Sequence, residues 1–167
     1  IIQYSDSLML LACSYGVMQL NKNTGNYTLL VDKYIVNDIL VHKGVIWFGT
    51  VGNGMVAFNP ATKELKQYSV SNGLLSNHVN SIVYADDYFW VGTENGMCRF
   101  SPENESVVTF SNYLPLSASS FNNAYCLLSN GRLSMGTNNG AVIFSPSTLK
   151  EESLKSRIFI QNLFILG

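Results

Sequence analysis

The chain has 167 residues, enough for one domain with a sizeable core, and its net charge is −1. Its ten Lys and Arg are scattered, so the basic stripe of a nucleic-acid binder is missing, and no apolar run approaches the roughly 20 residues that cross a bilayer. Hydrophobic residues make up 47% and charged residues 13%, against a usual ~25% charged in soluble domains, so Asn, Ser, Tyr and Gly must meet the water.

From the N-terminus, residues 2–6, 8–13 and 17–20 read as strands, followed by a second set at 39–42, 45–50 and 55–58. A third set covers 80–85, 88–93, 97–100 and 107–110, and a fourth covers 125–128, 132–137 and 141–144. The only helical turn is expected near 147–153. These sets are copies of one another. Residues 2–13 align on 82–93 without a gap, and the match continues until Leu20 lies over Phe100. Further copies run through Ile46-Trp47-Phe48-Gly49-Thr50 to Gly54 and Phe58, and through Leu133-Ser134-Met135-Gly136-Thr137 to Gly140 and Phe144.

The anchors Ala12, Gly49, Gly92 and Gly136 stand 37, 43 and 44 residues apart. That spacing fits the ~40–45 residues of a four-stranded propeller blade and not the 33–34 of common helical repeats. Within a copy, Asn53-Gly54, Asn95-Gly96 and Asn139-Gly140 mark tight hairpin turns. A blade covered on both faces explains unbroken apolar strands such as Tyr88-Phe89-Trp90-Val91. The fold class is therefore all-β, a β-propeller fragment of about four four-stranded antiparallel blades, at 1–33, 34–70, 71–111 and 112–150. Trp47, Trp90, Phe58, Phe100 and Phe144 hold matching places and are expected to be buried. Cys13, Cys98 and Cys126 lie in apolar runs without metal-ligand spacing and are expected to be buried free thiols.

The strings Ile46-Trp47-Phe48-Gly49-Thr50 and Phe89-Trp90-Val91-Gly92-Thr93-Glu94-Asn95-Gly96 resemble the "W-I-G-T-x-x-G-L" core of the two-component regulator propeller repeat. Asn72-Gly73-Leu74-Leu75-Ser76-Asn77-His78-Val79-Asn80-Ser81-Ile82 is similar to that repeat's entry segment. The resemblance covers roughly 1–165 and is strongest in 44–102. Leu10, Ala12 and Cys13 depart from its Trp, Gly and Thr, and Ser134 departs from its Trp. It implies part of a seven-bladed propeller in the periplasmic half of a hybrid two-component sensor kinase, where many members detect oligosaccharides. It also implies that 151–167 is an exit strand towards an Ig-like domain. The chain starts at Ile1 without a signal-peptide pattern, so targeting and membrane segments of a membrane-anchored parent are expected outside it.

Propeller geometry places each inner-strand entry loop on the same face as the turn between the second and third strands. That face gathers Ser76, Asn77, His78, Asn80, Asn122 and Asn123, with Asn53, Glu94, Asn95, Asn138 and Asn139 from the turns. Amides and a His suit sugar hydroxyls, and the same Asn residues also suit turns for purely backbone reasons. The two histidines, His42 and His78, form no metal-ligand pair, and no phosphate loop follows a strand. No cofactor, metal or catalytic residue is expected. The expected role is non-catalytic oligosaccharide sensing, and the alternative is a general protein-interaction propeller. A partial propeller should also leave apolar end faces, assigned to Leu8, Leu10, Val17 and Met18 at one end and Leu133, Met135, Val142 and Ile143 at the other, so self-association is expected.

Overall fold

The structure, a computed structural model, describes residues 1–110 and 120–149. Four antiparallel sheets follow one another along the chain, each a meander whose strands are paired in sequence order. The first blade holds β1 (Ile2–Gln3), β2 (Leu8–Cys13), β3 (Gly16–Asn21) and β4 (Tyr27–Asp32). The second holds β5 (Val36–His42), β6 (Val45–Thr50), β7 (Met55–Phe58) and β8 (Leu65–Tyr68). The third holds β9 (Val79–Ala85), β10 (Tyr88–Thr93), β11 (Gly96–Phe100) and β12 (Val107–Thr109). The fourth holds β13 (Phe121–Leu127), β14 (Leu133–Thr137) and β15 (Gly140–Phe144) among the described residues. Helical structure there is confined to 3₁₀ turns at Val70–Asn72 and Pro146–Thr148. The expected exit strand 151–167 lies outside the described residues.

Sequence patterning misses β4 and β8, and the reason is physical. An outermost strand is covered on little of its length: in β8 only Tyr68 is buried and its sequence has no apolar run, while β4 has the short run Leu29-Leu30-Val31 but buries only Val31.

Among the described residues three clusters form the core, each between consecutive blades. Leu10, Val17 and Val31 of the first blade meet Ile39, Phe48 and Phe58 of the second. Trp47 and Tyr68 of the second meet Phe89 and Phe100 of the third, with the Trp47 ring 4.9 Å from Phe89 and 5.6 Å from Phe100. Trp90 and Phe110 of the third meet Phe121, Leu133 and Met135 of the fourth. Among the described residues no cluster joins the fourth blade to the first, so the blades form an arc and not a closed ring.

The residues expected on the end faces are partly reassigned. Leu10, Val17, Leu133 and Met135 are buried between blades. Because strand side chains alternate, the open face of the first blade instead carries Met9, Leu11, Met18 and Leu20, with Leu29 and Tyr27 exposed beside them. The open face of the last blade carries Cys126 and Ile143, both paired with Ser134. Trp47, Trp90, Phe58 and Phe100 are buried. Phe144 touches Trp90 at 5.0 Å yet is only partly covered, since β15 is the outer edge of its described sheet. Of the thiols only Cys98 is buried, which pushes it up to about 12; Cys13 is partly covered and Cys126 is exposed.

The Gly-Thr pair that recurs in the sequence has two separate jobs. A Cβ on Gly49 would meet Val79 Cγ1 at 2.7 Å and the Val79 carbonyl oxygen at 2.9 Å, so its absence lets the next blade close in. A Cβ on Gly92 would likewise meet Phe121 Cβ at 2.8 Å and the Ser81 hydroxyl. The Thr then fastens the hairpin. Thr50 Oγ1 donates to the Gly54 carbonyl at 2.7 Å and accepts from the Asn53 N–H at 3.1 Å. Thr93 repeats both bonds with Gly96 and Asn95, and Thr137 with Gly140 and Asn139.

Gly92→Ala is therefore expected to destabilise the protein by ~1–3 kcal/mol through overpacking, read as a lower urea midpoint. An unchanged midpoint would mean that the third and fourth blades do not approach this closely.

Candidate functional site

The strands β5, β9 and β13 are the inner strands, since each packs on the first strand of the adjoining blade. Each breaks register near its start. In β5 the pairing with β6 shifts between Val36 and Asp38, and in β9 the pairing with β10 passes from Val79 to Ser81. In β13 it passes from Phe121 to Tyr125. A bulge leaves a residue out of the ladder and redirects its side chain. The residues so placed are Asn37 in β5, Asn80 in β9, and Asn122 and Asn123 in β13.

These amides form a row that crosses from blade to blade. Asn37 Nδ2 donates to Asn80 Oδ1 at 2.9 Å and to the Val79 carbonyl at 3.1 Å. Asn80 Nδ2 in turn donates to the Phe121 carbonyl at 2.7 Å. Asn122 Oδ1 accepts from the Ala124 N–H at 2.9 Å, which steadies the larger bulge. With Ser120, Phe121 and Asn138 the row lines an open cleft of about 340 Å³. Asn123 and Asn138 are exposed, and their side chains have no partner among the described residues. Each amide offers two donors and an acceptor, so the cleft presents a neutral set of both kinds.

The structure thus brings Asn80, Asn122 and Asn123 together, and separates them from Ser76, Asn77 and His78. Ser76 is buried, its hydroxyl donating to Glu94 Oε1 at 2.9 Å and accepting from the His78 N–H at 2.9 Å. Asn77 Oδ1 accepts from the Val70 N–H at 2.9 Å, and its carbonyl takes the N–H groups of Gly52 and Gly54 at 3.0 and 2.7 Å. These bonds tie the entry loop of the third blade to the hairpin of the second. His78 Nδ1 lies 3.6 Å from Glu94 Oε2, outside the cleft.

Asn37 and Asn138 complete the row, and Asp38 stands beside it. Asp38 Oδ2 accepts from the Ile82 N–H at 2.9 Å, while Oδ1 accepts from the Ile39 N–H at 2.9 Å and the Tyr125 hydroxyl at 3.3 Å. One carboxylate therefore links the second, third and fourth blades. Burial pushes it above the usual Asp value and outweighs those bonds; burial, with Asp38 alongside, also raises the Tyr125 phenol. Lining up Val36-Asn37-Asp38-Ile39 with Val79-Asn80-Ser81-Ile82 exposes Asn37 as the counterpart of Asn80. Among the described residues no three His, Cys, Asp or Glu gather closely enough to hold a metal.

No family model and no curated protein matches this chain. Solved structures do match. An extracellular domain assigned to a hybrid two-component system of B. thetaiotaomicron superimposes with a TM-score of 0.73 at 22% identity, over 89% of this chain and 21% of that one. A second such domain from the same organism gives 0.70 at 18% identity, over 87% of this chain and 20% of that one. The computationally designed Ika4 protein gives 0.60 at 10% identity, over 85% of this chain and 87% of the design. The chain thus spans about a fifth of the two extracellular domains, and the likeness establishes the fold they share with it.

Asp38 generates a pH expectation. Its folded pKa is raised above the ordinary 3.8, so its contribution to stability is fullest below that value and declines as pH rises through the raised one. Asp38→Asn removes this titration. The stability of the native chain relative to the variant should therefore shrink as pH rises across that window, measured by urea denaturation. A margin that grows with pH would contradict the burial of the ionised carboxylate.

Proposed function

We propose that the chain is a ligand-reading part of an extracytoplasmic sensor propeller, periplasmic in location, and that its asparagine cleft binds an oligosaccharide. The observation that carries this reading is the row from Asn37 through Asn80 to Asn122. It is braced from blade to blade, and it leaves Asn123 and Asn138 open at the mouth. A braced row costs little ordering on binding, and neutral amides match hydroxyl groups that both donate and accept. The likeness to extracellular domains of two-component systems supports the sensor role. The chain's own part is recognition without bond making. A membrane-anchored parent with cytoplasmic kinase domains would carry the signal. It requires a saccharide that prefers one of two arrangements, not tight binding alone.

The open end faces favour a second reading, a protein-interaction propeller. Tyr27 and Leu29 at one end and Ile143 at the other are exposed. Further blades or a second copy of the chain would continue the arc on those faces.

Calorimetry against a panel of oligosaccharides separates the readings. The expected outcome is binding by at least one glycan, weakened about tenfold or more when Asn123→Ala and Asn138→Ala together remove two hydrogen-bonding groups. The urea midpoint should not move, because neither side chain has a partner within the described protein. Failure of every glycan, with capture of a defined protein partner, would favour the second reading.

A further inference from the structure

The two ends of the strands differ in charge. The asparagine cleft lies where β5, β9 and β13 begin, so in each meander the first-to-second and third-to-fourth turns fall at the far end. Lys22, Lys43, Lys63 and Arg132 all sit in such far turns. Two ion pairs close there as well, Lys43 Nζ on Glu103 Oε1 at 3.2 Å and Lys66 Nζ on Glu105 Oε1 at 2.6 Å.

The cleft end is nearly free of charge. In the sequence, 51–54, 69–77, 111–120 and 138–139 hold no Asp, Glu, Lys or Arg. The described residues that line the cleft are five asparagines, Ser120 and Phe121. Phe121 is 1% exposed, so its ring offers no surface for stacking, and the lining meets a guest through amides and a hydroxyl. Asp32 and Lys33, at the end of β4, belong to the first blade and lie outside this lining. Asp38 and Glu94 also stand at this end, and both are engaged within the protein. The Asp38 oxygens accept from the Ile39 N–H, the Ile82 N–H and the Tyr125 hydroxyl. Glu94 Oε1 accepts from the Ser76 hydroxyl at 2.9 Å, and Oε2 faces His78 Nδ1 at 3.6 Å.

We infer that the asparagine cleft selects uncharged saccharides, so that its ligand is a neutral glycan and sugars bearing uronic acids, sulfates or free amines bind markedly more weakly. The inference rests on the reading of the cleft as an oligosaccharide site and names the class within it. Hydration is the reason. A carboxylate or sulfate entering the cleft sheds water that a cation replaces well, and the lining holds no cation while Asp38 and Glu94 repel an anion. An ammonium group sheds water too, and meets carboxylates whose oxygens already accept hydrogen bonds. A sugar hydroxyl both donates and accepts, as each amide does, so a neutral glycan exchanges water for partners of the same kind.

Calorimetry with glycans matched in backbone and differing in charge tests this. N-acetylated chito-oligosaccharides are set against their deacetylated, cationic forms, and methyl-esterified oligogalacturonides against the free acids. Neutral xylo-, gluco- and manno-oligosaccharides and oligosaccharides from heparin and chondroitin sulfate complete the panel. The tightest ligand is expected to be uncharged, by about tenfold or more over every charged glycan. Its affinity should change less than about twofold between low and physiological salt, because no charge pair is there to be screened. Loss of binding in Asn123→Ala with Asn138→Ala assigns a glycan to the cleft. Asn123→Arg places a cation at the mouth and should admit an acidic glycan that the native chain rejects, with an affinity that falls as salt rises. An acidic or amino glycan that binds through the cleft as tightly as the best neutral one, or an Asn123→Arg chain that still rejects every acidic glycan, would overturn this inference and leave the oligosaccharide reading standing. Binding of no glycan, or binding that the double variant leaves untouched, would overturn the cleft reading and this inference with it.

Discussion

A four-stranded meander has two faces and no interior, so it cannot bury anything by itself. Everything else in this molecule follows from the need to cover each sheet with its neighbour. The low charged fraction, the rings of Trp47, Phe89 and Phe100 meeting between sheets, and the missing side chains of Gly49 and Gly92 all serve that contact. Burial of such rings removes 150–250 Å² each from water, and the hydrophobic gain is realised only when a second blade is present. The same constraint explains the ends. Met9, Leu11, Met18 and Leu20 are apolar because their positions belong to an interface, even though no described blade covers them.

Stacking also shapes the cleft. Neighbouring sheets converge at their inner strands, and each inner strand absorbs the convergence as a bulge near its start. A bulged residue loses its ladder partners, and Asn is well suited there because its amide can serve backbone groups across the gap. Asn80 does so for the Phe121 carbonyl and Asn37 for the Val79 carbonyl. Side chains that brace the inner strands thereby line a polar concavity, and binding chemistry is available wherever an amide such as that of Asn123 is left over. Asp38 is the extreme case, a partly buried carboxylate that joins three blades through Ile39, Ile82 and Tyr125.

Much of this architecture is readable in the residues. The recurrence of Gly49, Gly92 and Gly136, each followed by Thr, marks the blades, because close approach and a fastened turn demand those two residue types in that order. Of the outer strands β12 was readable at 107–110, whereas β8 was not, since Leu65-Lys66-Gln67-Tyr68 buries one residue of four and has no apolar rhythm. Of the site, Asn80, Asn122 and Asn123 were visible as a polar cluster, but Asn37 was not, because its place depends on a bulge and a bulge is a property of pairing. Ser76 and Asn77 belong to the same polar stretch of sequence, yet their groups are consumed by Glu94 of the next hairpin and by the Val70 N–H.

If each blade is the core of the next, stability must be distributed unevenly along the arc, as in other stacked repeats. Among the described residues the two middle blades are covered on both faces and the two end blades on one. Native-state hydrogen exchange measures this directly, residue by residue. The slowest amides are expected in β6 and β10, at Phe48 and Trp90, with β3, β4 and β15 opening at clearly lower free energy. Equal protection in the end blades and the middle blades would contradict the claim that stacking between neighbours holds the fold together.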